Sequence, residues 1–140
     1  GRLKRLKKHL GKETFMMTYG DGLSNVNLKK LLSFHKKNKK LVTLTAVRPP
    51  ARFGALKFKG HLVSYFKEKS KVDEGWINGG FFVIETEFLN FIRNDNTYLE
   101  REPLELASKK KQLVAYRHEG FWQCVDTKRD LDKIRKILKK

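Results

Sequence analysis

The stretch FMMTYGDG at residues 15–22 decides the fold of this chain. Its first five residues are apolar or β-prone and predict a buried strand, and the glycines around Asp21 predict a turn at the strand's carboxyl end. A helix is predicted at about 27–38, where leucines and His35 share one face, and a β-branched strand is predicted at 41–47. The order strand, helix, strand is typical of a βαβ unit with a parallel sheet.

Shorter elements are predicted on both sides of that unit. They are a helix at 3–10 ending at Gly11, a hairpin at 54–66 turning at 59–61, and strands at 80–84, 113–116 and 121–125. Helices are predicted at 86–92, at 97–110 from a capping-box pattern with Pro103 in its early turns, and after Thr127, where Asp130 completes a second capping box. We therefore predict a single α/β domain over residues 1–140, with a partial Rossmann-like mixed sheet, flanking helices and a small antiparallel hairpin.

Composition narrows the class of protein. No apolar run approaches the roughly eighteen residues of a membrane span, and the basic start lacks the apolar region of a secretory signal, so we expect a cytoplasmic protein without a membrane partner. The single cysteine, Cys124, excludes an internal disulfide and is expected to be a buried, inert thiol.

The formal net charge of +17 raises the question of nucleic acid. Lysines outnumber arginines 23 to 9 and fall mainly on the polar faces or ends of predicted helices. Because phosphate forks and base readout favour arginine, a solvated lysine-rich surface is the preferred interpretation. Nucleic-acid binding stays the minority hypothesis.

Two aspartates stand out by their setting. Asp21 follows one predicted strand, and Asp126 follows another directly before a helix. Paired carboxylates at strand ends are the oxygen ligands that Mg²⁺ requires, and other coordination positions remain for water and phosphates. The alternative is an ordinary Gly-Asp-Gly turn and an ordinary helix cap. The residues alone leave both open.

A second candidate site surrounds Glu68 and Lys69, with Asn78 and Gly79 shortly after them. Lysine can hold a phosphate, glutamate can accept hydrogen bonds from sugar hydroxyls, and glycine admits a ligand close to the backbone. A charged loop and a tight turn explain the same residues equally well. The four histidines lack zinc-site spacing, and the sequence contains no Walker loop, G-x-G-x-x-G or G-x-S-x-G motif.

Six ordered blocks resemble glucose-1-phosphate cytidylyltransferases, which are sugar-phosphate nucleotidyltransferases. The blocks are FMMTYGDGLSNV (15–26), LTAVRPPARFGAL (44–56), FKEK (66–69), INGGFFV (77–83), EREPL (100–104) and FWQCVDTKRD (121–130). The resemblance implies a fold of the nucleotidyltransferase type. It also implies that glucose 1-phosphate attacks the α-phosphorus of CTP, giving CDP-glucose and pyrophosphate with Mg²⁺ as cofactor. Nucleotide-sugar and O-antigen biosynthesis would be the setting.

The resemblance also implies residue roles. The aspartates of the GDG and DT motifs, Asp21 and Asp126, would hold the metal, and the Glu-Lys pair, Glu68 and Lys69, would bind the sugar and its phosphate. Asp21, Lys69 and Asp126 are thus the predicted catalytic residues. Further substrate-binding residues implied in the same way are Gly54, Asn78, Gly79 and Arg2.

Three departures from the family pattern affect these expectations. Ser70 replaces a proline after the Glu-Lys pair, and Cys124-Val125 replaces Pro-Met before Asp126. The third is the missing glycine-rich segment that grips the nucleotide, so we expect the C-terminal portion of such a domain, inactive alone. CTP or another NTP would then bind only with that segment supplied. The alternative is a non-catalytic sugar-phosphate-binding or assembly subunit, completed by another chain or by a second copy.

Overall fold

The computed structural model describes residues 1–49, 54–68 and 75–139, and between 54 and 68 it describes side chains at 58–65. The strands are β1 Phe15–Thr18, β2 Gly22–Ser24, β3 Val42–Val47, β4 Gly54–Lys59, β5 Leu62–Glu68, β6 Ile77–Ile84, β7 Leu113–His118 and β8 Trp122–Cys124. The helices are α1 Arg2–Arg5, α2 Lys7–Leu10, α3 Leu28–Asn38, α4 Glu102–Lys109 and α5 Lys128–Leu138, with a 3₁₀ helix at Thr86–Phe91. Among the described residues, no helix has the length and apolar character needed to cross a membrane.

The main sheet has four strands in the order β1-β6-β3-β7. β6 is antiparallel to both β1 and β3, whereas β3 and β7 are parallel. The predicted mixed α/β sheet is confirmed, but β1 and β3 are not the neighbours that a simple βαβ unit predicts. β6 lies between them because its last three residues are buried and almost wholly apolar, which suits a central strand.

β1 lies at the edge of this sheet. Its side chains alternate between exposed and half-buried, and Met16 is 42% exposed, so the prediction of a fully buried strand was wrong. The predicted hairpin is confirmed as β4 and β5, which pair antiparallel around a turn at Gly60 with φ of 62°.

The core lies between the main sheet and α4. Val42 and Phe82 from the sheet pack with Phe88 of the 3₁₀ helix and Leu104 of α4. The predicted start of α4 was too early. Pro103 occupies the first turn of a helix that begins at Glu102, and the Thr97 hydroxyl accepts from the Asn94 backbone N–H in a separate turn.

A buried polar network joins α3 to the sheet. His35 is 1% exposed; its Nδ1 lies 2.8 Å from Thr43 Oγ1, and its Nε2 lies 2.8 Å from Glu85 Oε1. Thr14, just before β1, donates its hydroxyl to the same Glu85 carboxylate at 2.9 Å. His35 therefore links α3, β3, the end of β6 and the approach to β1.

Replacing His35 with leucine should destabilise the fold by about 2–4 kcal/mol, because it leaves the buried Thr43 hydroxyl without its His35 partner and removes one partner of Glu85. Urea unfolding followed by circular dichroism measures this change. The control His9→Leu alters an exposed residue of α2 and should shift the free energy of unfolding by less than about 0.5 kcal/mol. Equal effects of the two substitutions would contradict a structural role for the network.

Candidate functional site

A short antiparallel ladder brings the two predicted metal-binding aspartates together. β2 pairs with β8 so that Gly22 lies opposite Cys124. One residue further out, the Val125 backbone N–H donates to the carbonyl oxygen of Asp21 at 2.9 Å. Asp126 is the next residue, and both aspartates are exposed. Residues 105 positions apart in the sequence therefore lie at the same end of one ladder.

The start of α5 fixes the position of Asp126. Thr127 is the N-cap: its hydroxyl accepts the Asp130 backbone N–H, and the Asp130 carboxylate accepts the Thr127 backbone N–H, which forms a capping box as the sequence predicts. Gln123 of β8 also donates to Asp130, at 3.3 Å. Asp126 is thus held between a paired strand and a capped helix.

Cys124 lies beside Asp126 rather than in the core. The thiol is half-buried, and its Sγ donates to Asp126 Oδ2 at 3.1 Å. The expectation of a fully buried thiol was wrong, because β8 is a short strand outside the main sheet.

A tyrosine, a glutamate and an asparagine form a second group next to Asp21. The Tyr19 hydroxyl donates to Glu100 Oε1 at 2.6 Å and accepts from Asn78 Nδ2 at 3.3 Å. Asn78 Oδ1 accepts the Gly80 backbone N–H at 2.9 Å, which fixes the orientation of its amide. Tyr19, Gly20, Asp21 and Glu100 line one open depression on the surface.

Tyr19 keeps its proton in this setting. Burial of the phenol, and next its hydrogen bond to Glu100, raise the pKa of Tyr19 well above the ordinary value of a tyrosine. The hydroxyl therefore remains a donor at neutral pH and keeps its hydrogen bond to one oxygen of Glu100. Two features of the sequence point to this pair: Tyr19 directly precedes the GDG turn, and Glu100 begins the EREPL block.

The predicted Asn-Gly-Gly turn is part of β6, and its two glycines are required by packing and by backbone conformation. A Cβ on Gly79 would lie 2.8 Å from Val47 Cγ1 and 2.9 Å from the Thr45 carbonyl oxygen. Gly80 has a φ of 79°, in the left-handed region. Trp122 of β8 donates its indole N–H to the Gly79 carbonyl oxygen at 2.8 Å, which attaches the β2–β8 ladder to the main sheet.

Among the residues that it describes, the structure does not bring the other predicted site residues next to Asp21 and Asp126. Gly54 pairs with Glu68 at the open end of the β4–β5 hairpin, whereas the Glu68 side chain and Lys69 lie outside the described residues. Arg2 is exposed on α1 and, within the part of the chain that the structure describes, forms no hydrogen bond or ion pair. Those same parts of the chain hold no group of three or more His, Cys, Asp or Glu suited to a metal ion, so the metal hypothesis rests on two carboxylates.

Residues 3–139 match the family model for nucleotidyl transferases. This chain belongs to the nucleotidyl transferase family. It is 46% identical over 131 residues to the glucose-1-phosphate cytidylyltransferase of Salmonella typhimurium, covering 93% of this chain and 51% of that protein. It is also 29% identical over 138 residues to a mannose-1-phosphate guanyltransferase of Saccharomyces cerevisiae, covering 93% of this chain and 38% of that one.

Solved structures of nucleotidyl transferase type confirm the predicted fold. The crystal structure of HddC from Yersinia pseudotuberculosis superposes with a TM-score of 0.68 at 17% identity, covering 97% of this chain and 60% of that one. The chain thus spans about half the length of the cytidylyltransferase that it matches.

Gly79→Ala should destabilise the protein by about 1–3 kcal/mol, because the added methyl group collides with β3. Thermal unfolding measures the effect. Gly20→Ala is the matched control, since nothing lies within 4 Å of a Cβ at that position, and it should cost less than about 1 kcal/mol. Full stability in Gly79→Ala would mean that the close approach to Val47 is not a constraint.

Proposed function

We propose that this chain carries the metal-binding and sugar-phosphate-binding portion of a nucleotidyltransferase that makes CDP-glucose and pyrophosphate from CTP and glucose 1-phosphate. The observation that carries the proposal is the β2–β8 ladder, which brings Asp21 and Asp126 to the same end of one strand pair. The 46% identity to a glucose-1-phosphate cytidylyltransferase supports the choice of sugar and base. The product is a nucleotide sugar of the kind used for O-antigen, and its substrates place the reaction in the cytoplasm.

The donor set fits Mg²⁺. Asp21 and Asp126 offer exposed carboxylate oxygens, which are the ligands that this ion takes while it keeps positions for water and phosphate. The half-buried Cys124 thiol donates to Asp126 and supplies no further oxygen. When bound, Mg²⁺ would offset negative charge on the phosphates of the substrates.

The residues of the chain would act mainly by positioning. A phosphate oxygen of glucose 1-phosphate attacks the α-phosphorus of CTP and pyrophosphate leaves, so no covalent bond to the protein forms. Lys69 would pair with the sugar phosphate, and Glu68, Asn78 and the backbone at Gly54 and Gly79 would contact the hexose. Alignment of the two phosphates then supplies much of the rate.

Glu100 extends this set. Tyr19 occupies Glu100 Oε1, so Glu100 Oε2 remains to accept a hydrogen bond from a sugar hydroxyl in the depression beside Asp21. We assign Glu100 to sugar binding and Tyr19 to its orientation. Arg2, at the far end of α1, has the weakest support of the proposed substrate-binding residues.

We assign binding of the nucleotide to another part of the enzyme. The family relatives are about twice as long as the matched region, and this sequence contains no glycine-rich loop with an arginine and a lysine. We therefore propose that residues 1–140 form the C-terminal portion of the domain and that they bind but do not catalyse alone. β1, an edge strand with exposed Met16, supports completion of the sheet by further chain or by a second subunit.

Asp21→Asn and Asp126→Asn should each weaken Mg²⁺ binding by at least about tenfold, since each removes a charged ligand. Isothermal titration with Mg²⁺ measures the dissociation constant. Asp132→Asn on α5 changes the charge equally at an exposed position and should leave binding within about twofold. If all three variants bind alike, the carboxylate pair is not a metal site.

Lys69→Ala should weaken glucose 1-phosphate binding by about tenfold or more, because a charge-assisted contact to phosphate is lost. Lys12→Ala, at an exposed lysine, is the charge-matched control.

In a transfer assay with CTP, glucose 1-phosphate and Mg²⁺, the unaltered chain should form no CDP-glucose. Robust product formation would refute the assignment of nucleotide gripping to another part of the enzyme.

A further inference from the structure

Two arginines and a tryptophan meet at the carboxyl edge of the main sheet. Arg48 directly follows β3, and Arg117 lies on the parallel strand β7, opposite Ala46. Trp76 directly precedes β6, whose first residue pairs with the last residue of β3. The guanidinium carbons of Arg48 and Arg117 lie 4.6 and 5.7 Å from the centre of the Trp76 ring.

This arrangement concentrates positive charge, and the residues that the structure describes supply no counter-charge to it. Within the described residues, no carboxylate forms an ion pair with either guanidinium. Arg48 Nε is buried and has no hydrogen-bond partner there. A buried donor without a partner is costly, so the site as it stands lacks an acceptor.

A phosphate group supplies the negative charge and the hydrogen-bond acceptors that the two arginines lack among the described residues. A guanidinium presents its N–H groups as a planar fork that fits two oxygens of a phosphate, and two such groups suit a dianion. The indole ring holds both side chains by cation–π contact, which lowers the entropy that they lose on binding. Stacking on one ring therefore restricts both guanidinium groups before any anion binds.

The position separates this site from the carboxylate pair. Neighbouring strands are about 4.8 Å apart, so β3 lies about 10 Å from β1, with β6 between them, and β7 lies further still. A phosphate on the arginines therefore lies two or more strands away from Asp21. We propose that Arg48 and Arg117, stacked on Trp76, form a phosphate-binding site separate from the Asp21 and Asp126 carboxylates.

The site is tested by equilibrium dialysis of the full chain against radiolabelled inorganic phosphate at physiological salt. Arg48→Gln and Arg117→Gln should each weaken binding by about tenfold or more, which is the loss of a charge-assisted hydrogen bond. Arg93→Gln removes the same charge from an exposed arginine paired with Glu102 and should change binding by less than about twofold. This control corrects for the attraction of phosphate to a chain of net charge +17.

Arg48→Lys keeps the charge but not the fork, so weaker phosphate binding in this folded variant separates the proposed geometry from charge alone. Equal binding by the unaltered chain, the two glutamine variants and Arg93→Gln overturns the proposal. Competition between sugar phosphates and inorganic phosphate shows whether the phosphate bound by the arginines belongs to the sugar or to a separate anion. If glucose 1,6-bisphosphate binds more tightly than glucose 1-phosphate, and Arg48→Gln removes only that advantage, the second phosphate belongs to the sugar. If phosphate and glucose 1-phosphate bind together without competing, the site takes a separate anion.

Discussion

The antiparallel pairing of β6 with both β1 and β3 is the constraint on which the rest of the structure depends. Because β6 runs opposite to its neighbours, its amino end lies at the edge where β1, β3 and β7 have their carboxyl ends. The Asn-Gly-Gly residues at the start of β6 therefore lie between β1, which leads to Asp21, and β3, which leads to Arg48. Ligands of open α/β sheets bind at such an edge, and this one strand determines which residues meet there.

The carboxylate pair depends on that sheet although it lies outside it. The β2–β8 ladder has three residue pairs, and an isolated two-stranded ladder of that size is marginal in water. Two contacts compensate: the Trp122 indole bonds to the Gly79 carbonyl, and the capping box of α5 fixes the residues after Asp126. Gly79 therefore has a structural task in addition to its proposed contact with the hexose, since a side chain there would displace the attachment of β8.

Local signals in the sequence predicted part of the local structure, although the capping-box pattern at Thr97 placed the start of α4 too early. The α5 capping box, the Gly60 turn and the strands that lead to Asp21 and Asp126 each depend on residues within a few positions of one another. The insertion of β6 between β1 and β3 depends on which strands find each other, which periodicity does not encode. The Tyr19–Glu100 hydrogen bond joins residues 81 positions apart, and no spacing rule predicts it. Similarly, His35 is buried because Thr43 and Glu85 supply its partners, and both come from other elements.

The charge of the chain and the geometry of its sites act over different distances. A net charge of +17 produces a positive potential that attracts any anion, whether nucleic acid, nucleotide or sugar phosphate, and this attraction weakens with salt. Selection among anions requires groups held at fixed positions. Glu100 is oriented by Tyr19, and two arginines are held by Trp76, so their contacts are formed with little loss of side-chain entropy. On the proposed function, the lysine-rich surface would raise the rate at which anions encounter the chain, and the few oriented residues at the sheet edge would select among them.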